Sequence, residues 1–274
     1  MYLLQLLFVA SLIATSYGTP NSLIPVANNG TNAQSLVSRS FGYTGITGPL
    51  GWSGLSPESA MCSNGTSQSP INLDSRVRNP QINPTVRIKD GSGDFENLGN
   101  TVEVKLFGET AFEGKVYGLK QFHFHTPSEH RIKDEYFPLE AHFVHQAVDG
   151  TRLVLGVVFE ITTNGATTEF VRTLAQHIKK IKVPGSKTRV NGLKFRQIVT
   201  TIHKSRLYQY AGSLTTPPCS EGITWLVSQT PLPIDVASYL AFKKIIKFNA
   251  RFTQNTPGQR NLIEVAAEMI QKRT

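Results

Sequence analysis

The sequence predicts a sheet-dominated α+β fold built around one large core, and three observations carry that expectation. Short runs with strand-like alternation recur along the chain: TVEVKLFG, KVYGLKQFHFH, LEAHFVHQ, RLVLGVVFEI and GITWLVS. Only two stretches carry a helical stripe. At 274 residues, with no repeat and no block of charge, the chain has a size routine for one mixed or all-β unit. Hydrophobic residues at 39% and charged residues at 17% exclude a disordered or membrane-embedded chain.

Read from the start, Leu3 to Ala14 form an apolar run interrupted by Gln5 and Ser11. It is too short to span a bilayer and suits the core of a secretory signal over 1–18, with cleavage near Gly18. No positive charge precedes the run, so a buried N-terminal strand is the alternative. Residues 19–40 are rich in Asn, Gly, Thr and Ser without periodicity and read as irregular, which leaves 41–274 as a single folded domain. The strand runs follow from there. Among them, Phe170, Leu174 and Ile178 recur every four residues in TTEFVRTLAQHIKKI, and ASYLAFKKIIKFNA carries a similar stripe, so both read as helices. The polar close AAEMIQKRT offers neither a membrane span nor a lipid-anchor tail, and a secreted, soluble product is expected.

Net charge is +9 and the pI about 9.6. The densest basic cluster, Lys179 to Arg189, is interrupted by Ile181, Val183, Pro184 and Gly185, and no recognition motif accompanies it. A nucleic-acid partner is therefore not expected, adhesion to acidic polymers stays open, and no protein partner is evident. The two cysteines, Cys62 and Cys219, are an even number in an expected export product and predict a disulfide, with buried free thiols as the alternative. In the chain-entropy account, whose basis is disputed, so long a loop stabilises the fold by about 5 kcal/mol less any strain. Asn29 and Asn64 each begin a glycan acceptor tripeptide, which matters only after export.

The histidines concentrate. QFHFHTPSEH holds three of the seven in the chain, and alternation puts Phe122 and Phe124 on one strand face, His123 and His125 on the other. In LEAHFVHQ, Glu140, His142 and Val144 share a face, while Ala141, Phe143 and His145 share the opposite one. Two imidazoles at i and i+2, joined by one from a neighbouring strand, can supply three corners of a zinc tetrahedron. Gln121 and Glu140 precede His123 and His142 by two residues on the same faces, where each can accept the other ring N–H and fix its tautomer. A carboxylate turned inward without an ion or basic partner is costly to bury, which favours a metal over mere filling.

QFHFHTPSEH with LEAHFVHQ, SLTTPPCSEGITWLV, SQSPINL and FNARFTQN resembles the α-class carbonic anhydrases of the secreted, disulfide-containing type, from FGYTG to the C-terminal region. The resemblance implies a large, mostly antiparallel twisted sheet with short peripheral helices. It implies an enzyme that converts CO2 to bicarbonate by attack of zinc-bound hydroxide, with ester hydrolysis as a side reaction. His123, His125 and His142 would be the Zn2+ ligands. Thr215 would donate to Glu129 and accept from the hydroxide, and Thr216 would help hold bicarbonate. Val144, Val154, Leu214 and Trp225 fall where the family builds its apolar wall for CO2. Gln121, Glu140 and Asn249 would support the ligands from behind, and His130 matches a buried structural histidine. Cys62 and Cys219 fall where extracellular members carry a bridge beside the TTPP loop.

One position departs from the family pattern. NLGNTVEV offers Asn100 where the family commonly has its proton-shuttling histidine, and an amide does not titrate near neutrality. Turnover in weak buffer is therefore expected to be slow, while the hydration step survives. Tyr43 and Asn97 match positions that order relay waters. The alternative function is a weakly active or inactive relative with a binding, storage or matrix role, which loss of a ligand histidine or of the Thr215 and Glu129 pair would favour. All five residues are present.

Overall fold

The computed structural model describes residues 41–273. The expected leader 1–18, the segment 19–40 and the Asn29 acceptor lie outside the described residues.

An eleven-stranded sheet dominates. Along its main path the strands run in the order Lys187–Leu193, Gly91–Asn97, Val102–Lys105, Lys115–His125, Leu139–Gln146, Arg152–Ile161, Glu221–Ser228 and Leu207–Ser213. Pairing along this path is antiparallel except between Glu221–Ser228 and Arg152–Ile161, and Leu232–Ile234 joins the latter strand in parallel too. The sheet is thus mostly antiparallel, and its two faces are both covered.

Strand alternation decides which residue meets which layer. Phe122 pairs with Phe143 and Phe143 with Leu155, so one face presents a continuous apolar row. Against it pack Phe170 and Leu174 of the Glu169–His177 helix, Ile198 and Ile202 of Arg196–Lys204, and Phe242 of Val236–Ile246. Phe122 and Phe143 ring centroids stand 5.1 Å apart, Phe124 and Phe242 4.8 Å. Truncating such a ring to alanine costs about 3–5 kcal/mol. The opposite face carries a smaller apolar cluster around Val154, Val158, Tyr210, Trp225 and Val227. Its remaining positions are polar, and there the histidines stand.

Local signals explain the helices. Asp235 caps Val236–Ile246 by accepting from the Ser238 amide at 2.8 Å, and the helix stops at Lys247, whose φ of 61° cannot continue it. The stripe read through Ile178 is helical to His177 and then tightens into a 3-10 turn over Ile178–Ile181. Besides the single-turn helix Met61–Asn64, two helices went unread in the sequence, Arg196–Lys204 and Leu262–Gln271. The second starts at Asn261, which accepts from the Ile263 amide at 2.9 Å.

Cys62 and Cys219 are bonded, 157 residues apart, and both are fully buried beside Trp52. The bridge fastens the Met61–Asn64 helix to the loop that carries Thr215 and Thr216. No helix among the described residues is long and apolar enough to cross a membrane.

Candidate metal centre

Sheet register builds the site. His123 and His142 are direct cross-strand partners, and His125 lies two residues along the first strand on the same face. One nitrogen from each of the three rings falls within 4.8 Å of the other two. The rings crowd one another, with centroids of His125 and His142 4.5 Å apart and those of His123 and His125 5.1 Å.

Each ring has one nitrogen held by the protein. His123 Nδ1 lies 2.9 Å from Gln121 Oε1, and His142 Nε2 lies 2.9 Å from Glu140 Oε1. His125 Nδ1 lies 2.8 Å from the backbone oxygen of Asn249. Since all three acceptors are oxygens, each of these nitrogens carries the proton, and the opposite nitrogen of each ring keeps a bare lone pair. His125 Nε2 is buried and has no hydrogen-bond partner. Three bare imidazole lone pairs facing one point match the donor chemistry of zinc.

Electrostatics keeps the rings neutral, as ligation requires. Burial, followed by repulsion from His125 and His142, holds His123 well below the usual imidazole range. Burial lowers His125 to about 4 and also lowers His142, against the pull of Glu140. Glu140 itself is completely buried. Burial raises it, but electrostatic attraction and hydrogen bonds from the His130 and His142 rings outweigh that and hold it well below the carboxylate range. Its Oε2 accepts from the amides of Glu129 and His130 at 2.8 and 2.9 Å. Gly156 makes room for it, since a Cβ there would come within 3.2 Å of Glu140 Oε1.

Glu129 occupies the floor. Its Oε1 accepts from the Arg251 amide at 2.8 Å, while Oε2 is buried with no hydrogen-bond partner, 3.5 Å from His125 Nε2. Burial pushes this carboxyl up to about 7, opposed by His142, the Arg251 amide and the Thr215 hydroxyl. Thr215 is itself buried, and Thr216 lines the cavity above, a space of about 310 Å³ shared with Tyr43, Asn100, Gln121, His123 and His125.

The apolar side is assembled by the next register row. Val144 pairs with Val154 and Val154 with Trp225, and Leu214 packs against the same cluster. Trp225 also stands 4.8 Å from His142, ring to ring, and its indole donates to the Ser213 oxygen at 2.9 Å. Asn249 does more than accept from His125: its side chain accepts from the Thr126 amide and donates to the backbone oxygens of Asn100 and Phe124.

Asn97 stands apart. It is buried, its amide donates to the Ile181 oxygen at 2.8 Å and its Oδ1 accepts from the Gly99 amide, so both ends serve the turn rather than the cavity. Asn100 reaches the cavity wall.

Several supports escaped the sequence reading. His130 Nε2 lies 2.7 Å from the Tyr210 hydroxyl, which donates to Ser69 Oγ at 2.8 Å. The Arg251 guanidinium, 1% exposed, donates to Gln68 Oε1 and to the backbone oxygens of Ser69 and Cys62. Glu221 receives the Ser67 amide and the Gln68 side chain. Also unread, Glu103 lines the cavity as the cross-strand partner of His123. Most of these residues sit inside the quoted motifs, Arg251 in FNARFTQN, Ser67, Gln68 and Ser69 in SQSPINL, Glu221 in SLTTPPCSEGITWLV and Glu103 in NLGNTVEV, but the motifs do not say which residue meets which.

Comparison with known proteins agrees with this geometry. The sequence profile of the eukaryotic-type carbonic anhydrases matches residues 47–264. A carbonic anhydrase of Neisseria gonorrhoeae is 38% identical over 210 residues, covering 75% of this chain and 80% of its own. Dioscorin DB3S of Dioscorea polystachya is 34% identical over 209 residues, with 74% of this chain and 76% of its own covered. The solved structure of a fungal alpha carbonic anhydrase from Aspergillus oryzae superposes with a TM-score of 0.81 at 41% identity, over 84% of this chain and 99% of that one.

Proposed function

The chain belongs to the eukaryotic-type carbonic anhydrase family, and from that premise we propose that it is a zinc enzyme, a carbonate dehydratase that interconverts CO2 and bicarbonate. The observation that carries the reading is the set of three bare imidazole nitrogens of His123, His125 and His142 around one buried point. These residues would hold Zn2+. When bound, the ion supplies Lewis acidity that brings the pKa of a coordinated water to about 7.

The chain's own residues do the rest. Gln121, Glu140 and the Asn249 carbonyl fix the ring tautomers, so that no ligand must reorient. Thr215, which would donate to Glu129, would then have only lone pairs left for the attacking oxygen and so would fix the direction of its free lone pair. Val144, Val154, Leu214 and Trp225 shield an apolar space where CO2 loses nothing by leaving water. Hydration would add water's oxygen to the CO2 carbon as one C=O π pair shifts onto oxygen, with one of the two water protons leaving for solvent before attack and the other staying on bicarbonate, which Thr216 at the cavity wall would help hold. Asn100 at the wall cannot take the departing proton, so export relies on waters near Tyr43 and on buffer.

The expected leader and the bridge support secretion, and Asn64, exposed beside Cys62, is accessible to a glycan. A non-catalytic binding or storage role is the second reading, favoured by the similarity to a dioscorin. Stopped-flow CO2 hydration with matched zinc analysis, at low and high buffer, separates the two: rate proportional to zinc supports the enzyme, and zinc-loaded protein without rate supports the alternative.

A further inference from the structure

Six lysines lie in or next to two elements that meet beside the turn at residues 97–100. Lys179 and Lys180 sit in the 3-10 turn Ile178–Ile181, with Lys182 just after it. Lys243 and Lys244 close the helix Val236–Ile246, and Lys247 follows. The two elements pack against each other. Both converge on the turn at residues 97–100. The Asn97 side chain donates to the Ile181 oxygen and its amide to the Ser186 oxygen, while Lys247 and Phe248 line one groove with Leu98, Gly99 and Asn100.

All six lysines are exposed, and among the described residues none of them forms an ion pair. Lys187 and Lys105 do, with Glu96 and Glu103, and Lys243 lies 5.6 Å from the centroid of the Tyr239 ring. Six uncompensated positive charges make a field of several kT near the surface, reaching a Debye length of about 8–10 Å. The groove beside them, about 670 Å³, has Phe41, Tyr43 and Phe248 in its wall, and Phe248 is 54% exposed.

We propose that this basic rim and its aromatic groove form a docking surface for an acidic polysaccharide. Regularly spaced carboxylates or sulfates match a row of lysines, and the C–H faces of sugar rings match exposed aromatic faces. A concave groove admits a single flexible chain, whereas a bilayer presents a plane that would touch only its rim. The surface lies beside the metal centre and does not depend on the metal, so it goes beyond the proposed activity and stands or falls separately.

The test uses the purified full-length chain with heparin fragments and polygalacturonate as probes, titrated across salt. Wild-type protein is expected to bind at physiological salt, about 0.15 M, with log K falling linearly against log salt at a slope of about −4 to −6. The triple variants K179E/K180E/K182E and K243E/K244E/K247E each lose about tenfold or more in affinity, and the slope shrinks by about three in each. A control of equal charge change on exposed residues elsewhere, K133E/K204E/R206E, changes affinity less than about twofold. Phe248→Ala weakens binding with the slope unchanged. No binding by the wild type, equal losses in the control triple, or tighter capture by anionic phospholipid vesicles or duplex DNA than by either saccharide overturns the proposal. Circular dichroism on each variant separates lost binding from lost fold, and either basic triple suffices if the other misfolds.

Discussion

His142 and His145 sit three residues apart on one strand and face opposite sides of the sheet. On the core side, His145 Nδ1 donates to the Phe143 oxygen at 2.8 Å, so its Nε2 accepts from the Thr110 hydroxyl at 3.0 Å. Both nitrogens are committed, and the ring is a finished piece of packing. On the cavity side, His142 gives Nε2 to Glu140 and keeps Nδ1 without a hydrogen bond, 4.0 Å from Glu129 Oε2. Burial is the same for both, since each is essentially inaccessible. What separates a ligand from a filler is therefore the nitrogen left over after the protein has been satisfied, rather than depth or residue type.

Removing either ring breaks that comparison in its own way. His142→Ala should abolish stoichiometric zinc and reduce CO2 hydration to the uncatalysed level. His145→Phe should keep both while altering stability, and loss of zinc there would erase the distinction. Next in size, Thr215→Ala should lower kcat/KM about 10²- to 10³-fold with zinc retained, the scale of one lost oriented partner. Glu140→Gln keeps the shape of the acceptor and removes its charge. Zinc affinity should fall about 10- to 100-fold by competition with a chelator.

The core-side ring has a pH signature. Burial lowers His145 to about 4, against an ordinary value of 6.5. The unfolded chain therefore binds the proton first as pH falls, so the stability from keeping this ring neutral is complete above about 6.5 and is lost between about 6.5 and 4. The loss amounts to about 3 kcal/mol. Urea unfolding across that window should show a shallower decline in His145→Phe than in wild type; parallel curves would mean that the ring is not held neutral. Smallest is the mouth: Asn100→His, or added imidazole, should raise the rate in weak buffer by about tenfold and leave kcat/KM alone. No response to either would reveal another relay.

What was legible in the sequence divides along the same line. Period-two alternation placed His123 and His125 on one face of their strand and His142 on the face opposite His145 on the next, because a strand fixes facing locally, while the joining of all three came from the family resemblance. The helices at Glu169–His177 and Val236–Ile246 were legible from their apolar stripes. Arg196–Lys204 was not, because Ile198 and Ile202 are only two stripe positions within a β-branched run, Ile-Val-Thr-Thr-Ile, of low helix propensity. Gly91–Asn97 carries two glycines and an aspartate and is a strand through its neighbours on both sides. The site's supports were illegible for another reason. Ser69 meets Tyr210 across 141 positions and Arg251 meets Gln68 across 183, and no local pattern encodes such meetings. Asn97, read as a cavity residue, is turned into its own turn by the Ile181 carbonyl.

X-ray absorption at the zinc edge of the purified protein tests the leftover-nitrogen account most directly. The account predicts three imidazole nitrogens at about 2.0–2.1 Å with one further light scatterer, a pattern unchanged in His145→Phe. A sulfur shell, fewer than three imidazoles, or no zinc in folded protein would contradict it.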